Sequence, residues 1–178
     1  MAEQKLIYRP VIEALFVVGL ADRLTPDYRA RLAKLGINLD KLLPGYPYEA
    51  WEEAVQSTAT LFPELEPEPA IAEVGRRMVV ATVEGNPVGK RLLPLLKMLG
   101  VGKALKRAYG RTTEGNFNTV SFGVETPKSL EIHMSFVGKI PEFARGSIVG
   151  MGQMLGAPLR PVTTSYTEPK ATFTVGWD

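Results

Sequence analysis

The sequence predicts an α+β fold: an N-terminal helical layer packed on a mostly antiparallel four-stranded sheet of ββαββ order. Three observations predict it. Through roughly the first 110 residues, apolar side chains recur at helical spacings of three and four. After residue 117 the period drops to two. One further helical stretch, 141–155, interrupts the alternating segments and splits them two and two. At 178 residues the chain is read as a single domain, 1–178, with the helical part over about 1–110 and the ββαββ part over about 117–178.

The segment 6–20 is apolar and reads as an extended stretch running into a helix. Thr25-Pro26-Asp27 starts the next helix, with a hydroxyl to cap it, a proline in its first turn and an acid at its positive end. Tyr28, Leu32 and Leu35 share a face, and Gly36 stops the run. Pro44-Gly45-Tyr46-Pro47 reads as a turn. From Tyr48, the residues Trp51, Ala54, Val55, Thr58, Ala59 and Phe62 mark a helix face that ends at Pro63. After an acidic, proline-rich loop a helix is predicted over 68–83, with Ile71, Val74, Met78 and Val79 inward. Asn86-Pro87 opens another helix, with a kink expected at Pro94 and a break at Gly100-Val101-Gly102. In the second half, Val120, Phe122 and Val124 alternate with polar or small residues, as do Leu130, Ile132, Met134 and Phe136. Two more strands follow the helix, at 160–167 and 170–177, with Ala171, Phe173, Val175 and Trp177 pointing one way. The opposite face of the sheet, with Thr119, Ser121, Glu131, His133, Ser135, Thr172, Thr174 and Gly176, is small or polar. It could meet solvent or form a wet homodimer surface.

Composition excludes several function classes. There is no cysteine, hence no disulfide framework, thiolate nucleophile or cysteine-held metal. The apolar run near the start is too short to span a bilayer and lacks a convincing cleavage site, so a cytoplasmic protein is expected. Gly85-Asn86-Pro87-Val88-Gly89-Lys90-Arg91 is one residue short of a phosphate loop, and Arg91 stands where a magnesium-binding hydroxyl belongs. His133 is the only histidine and alternation places it on the polar face, so no metal site or hydrolase triad is assembled in the sequence. An enzyme would have to use His133, or Tyr109 with Arg111; no catalytic signature supports either, and a non-enzymatic protein is expected.

Net charge is only +2, yet residues 86–111 hold seven cations and no carboxylate. Lys90, Lys97, Lys103, Lys106, Arg107 and Arg111 are the candidate anion- or partner-binding residues, with Arg91 at the flank. A helical wheel gathers Val88, Leu92, Leu95, Leu96 and Leu99 on one side, which is expected to dock on the fold and turn the cations outward. Such a surface could dock an acidic protein partner or an anionic surface. Nucleic acid is disfavoured because no aromatic residue interleaves the charges before Tyr109.

Several weakly specific stretches together carry a resemblance. They are Leu32-Ala33-Lys34-Leu35-Gly36-Ile37-Asn38-Leu39-Asp40, Tyr46-Pro47 with Trp51, Leu61-Phe62-Pro63, Val74-Gly75-Arg76-Arg77, Val88-Gly89-Lys90-Arg91-Leu92-Leu93, Leu99-Gly100, Arg111-Thr112 with Asn116, and Phe173-Thr174-Val175-Gly176-Trp177. By these the chain resembles a large paralogous family of unknown function found in myxobacteria. More remotely, the order of helices followed by ββαββ is similar to the 4-vinyl-reductase-like and haem-nitric-oxide-type ligand-binding fold, also used by vesicle-tethering subunits. That resemblance implies a buried apolar cavity between helices and sheet that receives a small molecule or an acyl chain. No cofactor is expected. Haem in particular is disfavoured, because no histidine lies on a helix and His133 falls on a predicted strand. The reading is therefore a sensory or regulatory module binding a small, partly apolar ligand, with Leu92, Leu96, Met98, Phe122, Met134, Phe143 and Met151 lining the pocket. The alternative is an interaction module that uses the cationic segment from Lys90 to Arg111.

Overall fold

The computed structural model describes residues 4–110, 117–157 and 159–178. Strand β1 (Leu6–Tyr8) leads directly into α1 (Arg9–Ile12), and the chain then widens into a π-helical stretch over Glu13–Gly19. The opening segment is thus extended and then helical. Its apolar side chains Ile7, Ile12, Leu15, Phe16 and Leu20 are all buried. Strand β1 pairs antiparallel with β2 (Gly45–Pro47), Ile7 facing Tyr46. The cluster expected to be only a turn is therefore a short strand. Pro47 can belong to it because a two-stranded ribbon leaves outer N–H positions unpaired, so a missing donor costs nothing there.

Helix α2 (Pro26–Lys34) begins as the residues suggest, with the Thr25 hydroxyl accepting a hydrogen bond from the Tyr28 N–H at 3.1 Å. It ends before Gly36, whose φ of 84° would strain any side chain. Helix α3 (Tyr48–Ser57) tightens into a 3₁₀ turn over Thr58–Leu61. Trp51 stands edge-on to both Phe16 and Phe143, at ring separations of 6.0 and 5.5 Å, and so links the N-terminal segment to the second half. Helix α4 (Pro67–Gly85) buries Val74, Met78 and Val79 and leaves Ile71 half-buried.

Strands β3 (Val120–Thr126), β4 (Ser129–Met134), β5 (Thr163–Thr167) and β6 (Lys170–Gly176) form one antiparallel sheet in the order β3-β4-β6-β5. Helix α7 (Pro141–Leu155) connects β4 to β5. Leu130, Ile132, Met134, Ala171, Phe173 and Val175 are buried, while Glu131, His133, Thr172 and Thr174 lie on the other face. The α+β order expected from the sequence is the observed one. Val124 departs from it. The β3–β4 register slips by one residue between Phe122 and Glu125, and a one-residue slip exchanges the two faces of a strand. Val124 is consequently exposed, and Glu125 stands opposite the buried Leu130.

The cationic segment is a pair of helices, α5 (Pro87–Met98) and α6 (Val101–Tyr109), separated at Gly100. Here the wheel expectation is corrected. Helix α5 has no buried residue; Gly89, Leu93 and Leu96 turn inward, and Val88, Leu92, Leu95 and Leu99 are exposed. The reason is close backbone approach. A Cβ at position 89 would come within 2.9 Å of the Val83 carbonyl oxygen, so the bare side of Gly89 faces the end of α4 and fixes the rotation of the helix. Among the described residues, no helix is long and apolar enough to cross a membrane.

Candidate functional site

The exposed row on α5 does not stand alone. Between α5 and α6 lies an open groove of about 610 Å³, lined by Leu92, Leu95, Leu96, Met98, Leu99, Arg107 and Ala108. Each helix is placed by sequence. Asn86 caps α5, its side-chain oxygen accepting from the Val88 N–H at 2.9 Å, and Pro87 fills the first turn. Gly100, with φ 78°, reverses the chain. Helix α6 is then held down at Gly102, where a Cβ would stand 3.3 Å from the Trp177 ring. It buries Ala104, Leu105 and Tyr109, the Tyr109 hydroxyl lying 3.2 Å from Ser147 Oγ of α7. Helix α6 is thus anchored to the body while α5 rests on it lightly. Leu92 is 47% exposed, Leu95 59% and Met98 83%. A groove of this volume, mostly apolar with a single charged group among the described residues, has the size and chemistry of a small-molecule site.

Electrostatically the groove has one sign. Helices α5 and α6 carry six cations and no carboxylate. Lys106 is paired, its ammonium 2.7 Å from the Glu125 carboxylate that the β3 bulge turns toward it. Lys90, Arg91, Lys97, Lys103 and Arg107 are exposed and have no ion pair among the described residues. Arg111 lies outside the described residues.

Of the residues expected to line a pocket, the structure brings together Leu92, Leu96 and Met98. It does not join them to the rest. Met134, Phe143 and Met151 are buried in the packed core, and Phe122 is half-buried on β3. The hollow beside Phe143 and Trp51 amounts to about 10 Å³, room for roughly one water. Leu95, Leu99 and Ala108 were not among the expected liners. The signal for the first two is the spacing of Val88, Leu92, Leu95 and Leu99, a continuous stripe.

His133 sits on the open face of the sheet, Nδ1 2.9 Å from Thr172 Oγ1 and Nε2 3.7 Å from a Glu131 carboxylate oxygen. Gly123 makes that arrangement possible, since any side chain there would overlap the imidazole. No group of three or more metal-ligating side chains occurs among the described residues.

This architecture is that of the H-NOX domains. One H-NOX protein from S. oneidensis, in its Fe(II) ligation state, superposes with a TM-score of 0.66 at 10% identity, covering 97% of this chain and 96% of that one. An Fe(II) unliganded H-NOX protein from K. algicida gives 0.63 at 11% identity, covering 95% of each chain. A third, described by the modulation of haem redox potential through protein-induced porphyrin distortion, gives 0.58 at 15% identity, over 95% of this chain and 92% of that one. The haem-nitric-oxide-type likeness read from element order is thereby borne out at the level of fold. The chain itself belongs to a family of proteins of unknown function, DUF2378, whose model matches residues 5–178. No curated protein matches it.

These neighbours correct the expectation that no cofactor, and haem least of all, goes with this fold. The solved domains that share it are described by iron states and by haem. The absence of a helical histidine concerns one ligand residue and does not speak for the fold. The residues of this chain nevertheless do not fit a histidine-ligated haem. Such a group needs an imidazole nitrogen facing an apolar slot. His133 instead faces Thr172 and Glu131 on the outer side of the sheet. Helices α4 and α7 meet backbone to backbone at Gly75 and Gly146.

Proposed function

We propose that this chain is a sensory or regulatory module that binds a small, partly apolar ligand, and that the ligand sits in the groove between α5 and α6. The observation that carries the reading is the stripe Leu92, Leu95, Met98 and Leu99, left exposed around about 610 Å³ of space. Covering the exposed halves of four such side chains is worth roughly 3–6 kcal/mol, at about 1.5–3 kcal/mol for each full side chain. The ligand's own apolar surface, covered in the same event, adds to this gain against the cost of association. The fold supports the reading by analogy, since its solved neighbours are described in ligand-free and Fe(II)NO forms.

A neutral apolar dye tests it. Nile red fluorescence should rise with the wild-type chain and stay low with Leu95→Asp, while the urea midpoint is unchanged. Equal dye binding by both proteins would remove the ligand from this groove. The second reading, docking of an acidic partner, is favoured by the five cations of α5 and α6 that have no ion pair among the described residues. Charge reversal at Lys103 and Arg107 should abolish that binding; Lys106 is the wrong test, because Glu125 already neutralises it.

A further inference from the structure

We infer that the occupant of the groove is a single-chain amphiphile ending in a carboxylate, and that Arg107 binds its charged end. The inference rests on the reading that the groove holds a ligand, and adds the ligand's chemical class. Two features carry it. First, among the described residues Arg107 is the one charged side chain in an otherwise apolar lining. It is exposed and has no ion pair among the described residues, so its fork of donors is free for an anion. Lys103, one turn earlier on the same helix and also exposed, adds charge of the same sign. Second, the apolar part of the groove is a row and not a bowl. Leu92 and Leu99 are seven residues apart on and just beyond α5, about 10 Å along the axis, with Leu95 and Leu96 between them. A straight aliphatic chain matches a row, and its terminal carboxylate matches a guanidinium at the rim.

The arrangement of the remaining cations distinguishes a free amphiphile from a bilayer. On a helix turning 100° per residue, two of the three α5 cations, Lys90 and Lys97, lie roughly opposite the row of Leu92, Leu95 and Leu99, and Arg91 lies at its flank. If that row entered a membrane, the two lysines would point away from the anionic headgroups that should attract them. Among the described cations, Arg107 alone belongs to the groove lining.

Displacement of Nile red by dodecanoate and by 1-dodecanol, both below micelle formation, tests the assignment on the full chain. Wild type should prefer the carboxylate by about tenfold, Arg107→Gln should level the two, and Arg107→Lys should keep part of the preference. Arg107 is exposed, so urea midpoints should not move. Equal displacement by acid and alcohol, unaffected by Arg107→Gln, would overturn the carboxylate while leaving an apolar ligand site. Nile red that never binds, or that neither compound displaces, would overturn the groove reading itself. Co-flotation with phosphatidylglycerol vesicles that Arg107→Gln abolishes and dodecanoate does not compete would assign the surface to a membrane and overturn the proposal.

Discussion

A methyl group on Gly146 would overlap the carbonyl of Ala72, so α7 and α4 touch through bare backbone. The same holds in reverse at Gly75, where an added Cβ would overlap the Phe143 carbonyl and stand 3.0 Å from the Ser147 nitrogen. Two glycines on facing helices thus bring the axes close and close off the space between them. Relief cannot come from a side-chain rotation, because the obstructing atoms are main chain. Overpacking of this kind costs typically 1–3 kcal/mol and more where backbone must shift. Gly146→Ala should therefore destabilise the protein by about 3 kcal/mol, despite alanine's better helix propensity, which favours it by about 1 kcal/mol. Urea unfolding followed by circular dichroism measures it. A stability equal to wild type would mean that the helices are farther apart than described.

That contact also marks the boundary of what the sequence makes legible. Strands β4 and β6 are plain in it, because each buries one face and alternates without interruption. The starts of α2 and α5 are plain too, as Thr25-Pro26 and Asn86-Pro87 supply cap and first turn locally. What depends on a neighbour is not legible. The rotation of α5 is the clearest case. With leucine at positions 92, 93, 95, 96 and 99, a wheel offers two adjacent apolar faces, and Gly89 against Val83 decides between them. The richer face is the one the pattern points inward, and the structure exposes it. The ion pair between Lys106 and Glu125 was hidden for a related reason. It exists only because the β3 bulge turns Glu125 to the buried side, and nothing in the run Gly123-Val124-Glu125 announces a slipped register.

Glu73 makes a prediction about pH. Its carboxylate accepts from Arg76 at 2.6 Å through each oxygen, and from Arg77 Nε at 3.0 Å. The Arg76 hydrogen bonds, with those of Arg77 and the charge of both guanidiniums, hold the carboxyl below its ordinary value despite partial burial. Arg77 also reaches Asp22 at 2.7 Å, which ties α4 to the segment following the π-helical turn. A carboxyl whose folded pKa lies below its unfolded one contributes stability that is present above the unfolded value, 4.5, and is lost as pH falls through the folded value. Glu73→Gln should thus destabilise the protein clearly at pH 7 and progressively less below pH 4.5. Paired urea titrations of both proteins across that range give the answer. A difference that stays constant with pH would mean the loss is one of packing or geometry and not of charge.

The groove makes the sharpest contrast between position and stability. Leu95 and Ile132 are both large aliphatic residues in regular secondary structure, yet one is 59% exposed and the other fully buried. Truncating a buried isoleucine removes its transfer free energy and leaves a cavity, at about 2–5 kcal/mol for Ile→Ala. Ile132→Ala should therefore lower the urea midpoint strongly, since Ile132 packs between Phe122 and Phe173 on the buried face. Leu95→Ser should change stability by no more than about 0.5 kcal/mol, as surface substitutions do. Nile red binding should respond in the opposite order: nearly abolished by Leu95→Ser, and unchanged by Ile132→Ala under conditions where that variant is folded. If Leu95→Ser destabilises the chain as much as Ile132→Ala does, then α5 is packed more deeply than described. The stripe would then belong to the core, and the groove would not be a site at all.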